Sequence, residues 1–135
     1  MHKFPIYEYR KFEELPLDKL NALKFSVYLL DFNWNYMFIN DFVKSNIKER
    51  ANDLIGKNIW EEFPELLHDT PFAMMREKME RKIPYNFETT SPVTRQRLSI
   101  TSFPLEDCYY FTASILPDKQ ELLNEIRNEL RKKLD

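Results

Sequence analysis

Asp53-Leu-Ile-Gly-Lys-Asn-Ile-Trp-Glu-Glu-Phe-Pro64 is the stretch around which the chain is organised. It holds Gly56, the only glycine in 135 residues. A chain that avoids glycine elsewhere is expected to keep one where the backbone needs φ > 0 or a close approach. Leu54 and Ile55 before it, and Ile59, Trp60 and Phe63 after it, read as two short buried helical turns. Gly56 would be their joint, with Lys57-Asn58 opening the second turn.

Upstream, residues 1–24 form a lead-in in which Pro5 and Pro16 interrupt any long helix. A short helix is expected around Lys11–Leu15, and another from Pro16 to about Leu23, with Leu17, Leu20 and Leu23 along one side. Phe25–Asp31 and Tyr36–Asn40 read as a hairpin whose Asn33-Trp34-Asn35 turn uses residues tolerant of left-handed geometry. Asp41 to about Ile47 follows as a helix capped by Asn40 or Asp41, with Phe42 and Val43 facing inward.

Downstream, Ile59–Leu67 reads as one short helix. Thr70 as N-cap with Pro71 at the first position opens a longer one to about Lys82. Phe72, Met75 and Met79 share a face of it. Strands are expected at Tyr85–Thr90, Arg95–Phe103 and Cys108–Leu116, joined by the turns 91–94 and 104–107. Two strands, several helices and three strands make an α+β fold, a five-stranded antiparallel sheet with short helices on one face. Aromatics fall on both faces of the last strand, so its outer face needs a cover. Residues 117–135 supply a candidate: a capping-box-like start, then the stripe Leu122, Leu123, Ile126, Leu130 and Leu134. Five acids and five bases make this segment neutral. It spans about two heptads, fewer than the roughly three to four that sustain a coiled coil. It can pack on its own domain, form a dimer or dock a partner.

The Leu54-Ile55-Gly56-Lys57 to Phe63-Pro64-Glu65 run, placed after a hairpin ending in Asn40, resembles the middle of a PAS domain, a sensory module of signalling proteins. More weakly, the resemblance extends from about Leu17 to Leu116. It implies the strand order 2-1-5-4-3, a PAS-like domain at 25–116, and a terminal amphipathic helix that carries signals.

Composition narrows the function further. Apolar residues at 43% and charged residues at 31% suit one soluble globular domain. A net charge of −2 with interspersed signs proposes neither a nucleic-acid nor a membrane surface. The first residues carry an acid and no apolar core, so no signal peptide is expected and a cytoplasmic location is. One cysteine and two histidines leave no multi-thiolate metal site, and no metal is predicted. One glycine excludes a dinucleotide-binding turn, a phosphate-binding P-loop and a hydrolase nucleophile elbow, each needing at least two.

A cavity between the sheet and the Phe72 helix would be lined by Phe38, Phe42, Ile59, Trp60, Phe63, Phe72, Met75, Met79, Phe87, Ile100 and Phe111. That set suits a small apolar ligand. It equally describes a filled core. No cofactor is predicted. Flavin-binding PAS photosensors carry a cysteine in the motif that aligns with Gly56–Phe63, and Ile59 holds its place, so no flavin adduct is expected. Haem-binding relatives use a histidine near the long helix, where only His68 could reach. His68 beside Asp69 reads instead as an exposed loop residue. No Ser/His/acid trio and no inward carboxylate is visible; alternation turns Glu88 away from Phe87, and Cys108 beside Asp107 lacks the basic setting of a reactive thiolate.

The leading expectation is a non-catalytic sensory domain. It would bind a small hydrophobic ligand or a signalling protein in trans, and signal through its terminal helix as a homodimer. The alternatives are a ligand-free interaction module with a filled core, and a small α+β-cone enzyme, which would need an inward histidine or carboxylate.

Overall fold

The computed structural model describes residues 8–117 and 119–134. A 3-10 turn at Phe12–Glu14 and helix α1 (Leu17–Asn21) precede the hairpin β1 (Ser26–Asp31) and β2 (Tyr36–Ile39). Helix α2 (Asp41–Ile47), α3 (Ile59–Glu62), α4 (Thr70–Glu80) and two further 3-10 turns follow. Strands β3 (Tyr85–Thr90), β4 (Arg97–Pro104) and β5 (Cys108–Ile115) complete the sheet, and α5 (Lys119–Leu134) ends the chain's described part. The strands are antiparallel in the order β2-β1-β5-β4-β3, as expected.

Two apolar clusters sandwich the sheet. On the inner face Tyr28, Leu30, Tyr36, Ile100, Tyr109, Phe111 and Ala113 meet Val43, Ile59, Trp60, Phe63, Phe72, Met75 and Met79 from the helices. On the outer face Val27, Leu29, Cys108 and Tyr110 lie under Leu15 and Leu20, with Tyr9, Phe12, Leu17 and Phe103 at the margin. The lead-in, rather than the terminal helix, therefore covers the outer face. Backbone bonds tie it down: Glu106 N–H donates to Arg10 O at 2.8 Å, and Phe12 N–H to the Asp107 carboxylate at 3.0 Å.

Asn40 holds the inner geometry. Fully buried, it accepts from Val27 N–H at 3.0 Å and Val43 N–H at 3.1 Å, and donates to Leu20 O and Phe25 O, each at 2.9 Å. One amide thus ends α1, starts β1 and caps α2.

The Gly56 stretch differs from expectation. Neither Leu54 nor Ile55 is helical; Leu54 is irregular and buried, while Ile55 lies in a turn and is exposed. Gly56 does sit at φ +89°, and a Cβ there would meet nothing, so its reason is conformation, not space. Its neighbours extend the sheet's edge: Gly56 N–H donates to Tyr36 O at 2.7 Å, Tyr36 N–H to Lys57 O at 2.9 Å, and Ile59 N–H to Trp34 O at 2.9 Å. Asn58 then caps α3, accepting from Trp60 N–H at 3.0 Å.

Nor does glycine monopolise left-handed backbone here. Trp34, Lys48, Asp53, Lys82 and Arg95 all have positive φ. In the hairpin turn it is Trp34, not an asparagine, that takes it; Asp31 satisfies the N–H groups of Asn33 and Asn35, each at 2.9 Å. Two other boundaries move. Asp69, not Thr70, caps α4, its carboxylate accepting from Phe72 N–H at 3.3 Å. Pro64 breaks the expected Ile59–Leu67 helix into α3 and a 3-10 turn at Pro64–His68, since proline lacks the donor a continuous helix needs.

Replacing Asn40 by alanine takes their shared acceptor from Val27 and Val43 N–H and a donor from Leu20 O and Phe25 O, and should lower unfolding free energy by about 3 kcal/mol in urea titration. A loss under about 1 kcal/mol would remove its central role. Gly56→Ala should cost about 1 kcal/mol. Lys48→Gly should gain about 1 kcal/mol, because Lys48 holds φ +55° with ψ −120°, a region suited to glycine.

Candidate functional site

The inner face holds a cavity of about 100 Å³, partly open to the surface, between the sheet, α2, α3, α4 and the β3–β4 loop. Its origin lies in two small residues. Ser26 of β1 and Ala113 of β5 are register partners, and Ala113 also faces Ile100 of β4. Where neighbouring pairs carry Tyr28 opposite Phe111 or Leu30 opposite Tyr109, this pair leaves space. Tyr28, Tyr36, Val43, Asn46, Ile47, Leu66, Ser91, Val93, Thr94 and Leu98 complete the wall with four of the sequence-predicted residues, Ile59, Phe63, Phe72 and Ile100.

The remaining predicted residues go elsewhere. Trp60, Met75, Met79, Phe87 and Phe111 pack in the same inner cluster without lining the space. Phe42 is half-buried and belongs to neither apolar cluster. Phe38 lies on the opposite face, in the cluster beneath the lead-in. The cause is a bulge: register slips between Leu29–Phe38 and Leu30–Tyr36, so Met37 is an extra residue. Strict alternation from Tyr36 would point Phe38 inward; the extra residue turns it outward. Sequence reading missed Tyr28 and Tyr36, although alternation with Leu30 in β1 places Tyr28 on the inner side. The signal it overlooked was smallness, Ser26 and Ala113 among aromatic neighbours.

The wall carries no charged side chain and no histidine. Burial pushes the Tyr28 phenol well above its ordinary range. Burial does the same for Tyr36, with the neighbouring Tyr28 adding to it. Both stay protonated hydroxyls. The aromatic floor beyond the cavity is centred on Trp34, whose ring lies 4.7 Å from Tyr109 and 5.1 Å from Trp60 between centroids. His68 is exposed at the end of its 3-10 turn, and Glu88 is exposed on β3.

Outside the wall, Arg50 clamps the helical layer. Its guanidinium meets Glu65 in a two-pronged contact at 2.9 and 3.1 Å, donates to Glu62 O at 2.9 Å and lies 4.4 Å from the Phe63 ring centre. The Arg50 hydrogen bond holds the Glu65 carboxyl below its usual range. On the outer face Cys108 is inaccessible, and burial, then the Asp107 charge, pushes its thiol up to about 12.

Helix α5 stands apart from both clusters. Residues 120–134 are all exposed, including Leu122, Leu123, Ile126 and Leu130 near half exposure and Leu134 at 86%. No helix among the described residues is long and apolar enough to cross a membrane.

No family model matches the chain, and neither does any curated protein. Solved structures do. The photoactive yellow protein domain from the sensor histidine kinase Ppr of Rhodospirillum centenum superposes with TM-score 0.61 at 15% identity, covering 76% of this chain and 94% of that one. The PAS domain of Bordetella pertussis BvgS gives 0.61 at 13% identity, with 89% and 97% covered. This chain has the PAS fold. A third similar structure is the PAS domain of the Cronobacter turicensis quorum-sensing receptor RpfR in complex with BDSF. It gives TM-score 0.53 at 10% identity and covers 71% of this chain and 97% of that one.

Two measurements check this description. Cys108 should resist iodoacetamide in the native protein near neutral pH and react on unfolding, since it is neither accessible nor ionised. Glu65, with a carboxyl depressed in the folded state, stabilises above its unfolded value near 4.3 and loses that contribution as pH falls below it. The Arg50 and Glu65 side chains are 42% and 34% exposed, so solvent screening should keep the effect below about 1 kcal/mol. Glu65→Gln should remove it from the acid limb of a stability–pH curve.

Proposed function

We propose that this chain is a sensory module that binds a small apolar ligand or a protein partner, performs no catalysis, and reports the event through α5 and the packing of a homodimer. The observation that carries this reading is the bare apolar stripe of α5, which begins four residues after Ile115 of β5. The inner face of β5, through Ala113, is also cavity wall. One strand therefore touches the candidate binding space and leads to the candidate output surface. The PAS fold supports the reading, as do the similar structures' own descriptions as sensor and receptor domains.

An enzyme of the α+β-cone kind is disfavoured by the wall, which offers neither histidine nor carboxylate. The filled-core interaction module keeps one specific support: about 100 Å³ lies well below the roughly 300–1,000 Å³ of pockets for drug-sized ligands.

Burying an apolar helical stripe between two copies drives self-association. Sedimentation of the full chain should show a dimer, and Leu123→Glu with Ile126→Glu should weaken it at least about a hundredfold. Removing residues 118–135 should have the same effect. It should leave the domain's unfolding free energy within about 0.5 kcal/mol, because the lead-in and not α5 covers the sheet. A wild-type monomer at all concentrations, or a dimer indifferent to these changes, would overturn the dimeric part of the proposal.

A further inference from the structure

The chemistry of the cavity wall narrows what the space can hold, and the surface above it shows a way in. Resting on the sensory reading above, we propose that the cavity takes a compact, uncharged, mostly apolar molecule with one hydrogen-bond acceptor, which enters between the end of α2 and the β3–β4 loop.

Size comes first. The space of about 100 Å³ is smaller than the roughly 150 Å³ engineered cavity that admits benzene, so it suits roughly four to six non-hydrogen atoms. Charge comes second. A carboxylate or ammonium inside would lose its hydration and meet no counter-charge, because the wall has none. Arg50, in the wall of the adjoining hollow, is already engaged by Glu65 and Glu62 O. Polarity comes third. Tyr28, Tyr36 and Ser26 bring hydroxyl groups to the deep, sheet side of the wall, Asn46, Ser91 and Thr94 add neutral polar groups at the α2–loop side, and the phenols remain protonated. A ketone, aldehyde, ether or ester oxygen can accept from such a donor, whereas a hydrocarbon leaves it unanswered.

The route follows from a second hollow of about 200 Å³ on the surface above, which shares Asn46, Ile47, Val93 and Thr94 with the cavity. Between α2 and the loop, Asn46 donates to the Gln96 side-chain oxygen at 3.1 Å. The loop is closed on itself, with Ser91 N–H donating to Gln96 O at 2.8 Å and Ser91 Oγ accepting from Val93 and Thr94 N–H. It can therefore swing as one unit when the Asn46–Gln96 bond opens. Left-handed residues flank both sides of the opening, Lys48 after α2 and Arg95 in the loop.

The test titrates the full chain with three probes of closely similar size, cyclopentanone, cyclopentane and butyrate, following the ¹³C-methyl resonances of Ala113 and Val43. Cyclopentanone should shift both methyls and bind at least about tenfold more tightly than butyrate, with cyclopentane weaker than cyclopentanone. Ala113→Val, read at Val43, or the milder Ser26→Val, read at both methyls, should abolish the shifts. Gln96→Ala, which removes the acceptor of that bond from outside the cavity wall, should speed association and release together, each by about fivefold or more, while the dissociation constant changes less than about twofold. Equal binding of butyrate would overturn the ligand class. Unchanged rates in Gln96→Ala would overturn the route. No shift with any probe would overturn the ligand site itself, and sedimentation of the same sample then shows independently whether α5 dimerisation stands.

Discussion

The amide of Asn40 is the constraint on which the remaining architecture depends. An asparagine side chain has two donors and a carbonyl oxygen that accepts twice, and here all are used inside a region with no solvent access. No other residue of that length supplies both kinds of group. Aspartate lacks the donors, and leucine lacks everything. By joining the end of α1, the start of β1 and the first turn of α2, it fixes where α2 crosses the sheet. That placement brings Val43, Asn46 and Ile47 over Ser26 and Ala113, and so determines where the inner space lies.

Periodicity was enough to read the element order, the helix Asp41–Ile47 and the strand Tyr85–Thr90 from the sequence. The strand order 2-1-5-4-3 came instead through the PAS resemblance. What stayed hidden were effects that act between elements or against a local preference. The Met37 bulge depends on how β2 meets β1, and it alone reverses Phe38. Trp34 adopts φ +68° in spite of its bulk because its ring is buried against Trp60, Tyr109 and Phe111. That aromatic packing offsets a backbone strain of order 1 kcal/mol. The lone glycine was readable as a positive-φ position, whereas Trp34, Lys48, Asp53, Lys82 and Arg95 carry no such signal in their residue type. For the site, sequence favoured large residues, whereas space is made by small ones.

Which segment covers the outer face was undecidable from hydrophobicity, since both ends of the chain offer an apolar stripe. Hydrogen bonding breaks the tie. The lead-in reaches β4 and β5 through the 105–107 turn, where Arg10 O and Phe12 N–H find partners, and α1 reaches β2 through Asn40. A regular helix such as α5 satisfies its own backbone internally and has no such groups to offer along its length. The lead-in thus completes a sheet surface that would otherwise show Val27, Leu29, Cys108 and Tyr110 to water, and α5 is left with its apolar side bare.

The cavity runs against the ordinary economy of a protein core. Interiors pack as densely as organic crystals, whereas the side chains around this partly open space of about 100 Å³ forgo contacts that larger residues would supply. One methyl or two at Ser26 or Ala113 would recover much of that. A chain that fills its inner face with Tyr28, Tyr36, Phe63, Phe72 and Phe111 does not lack the means. The deficit has a counterpart in linkage: a molecule that binds only the folded state returns stability as RT ln(1 + [L]/Kd), reaching about 2.7 kcal/mol at a hundredfold excess over Kd. An occupant would therefore be felt most strongly at Ser26 and Ala113, which lie in the two strands at the sheet's centre. Because β5 continues through Pro117 towards α5, the residue that leaves room for the occupant is also covalently the nearest part of the cavity wall to the exposed helix.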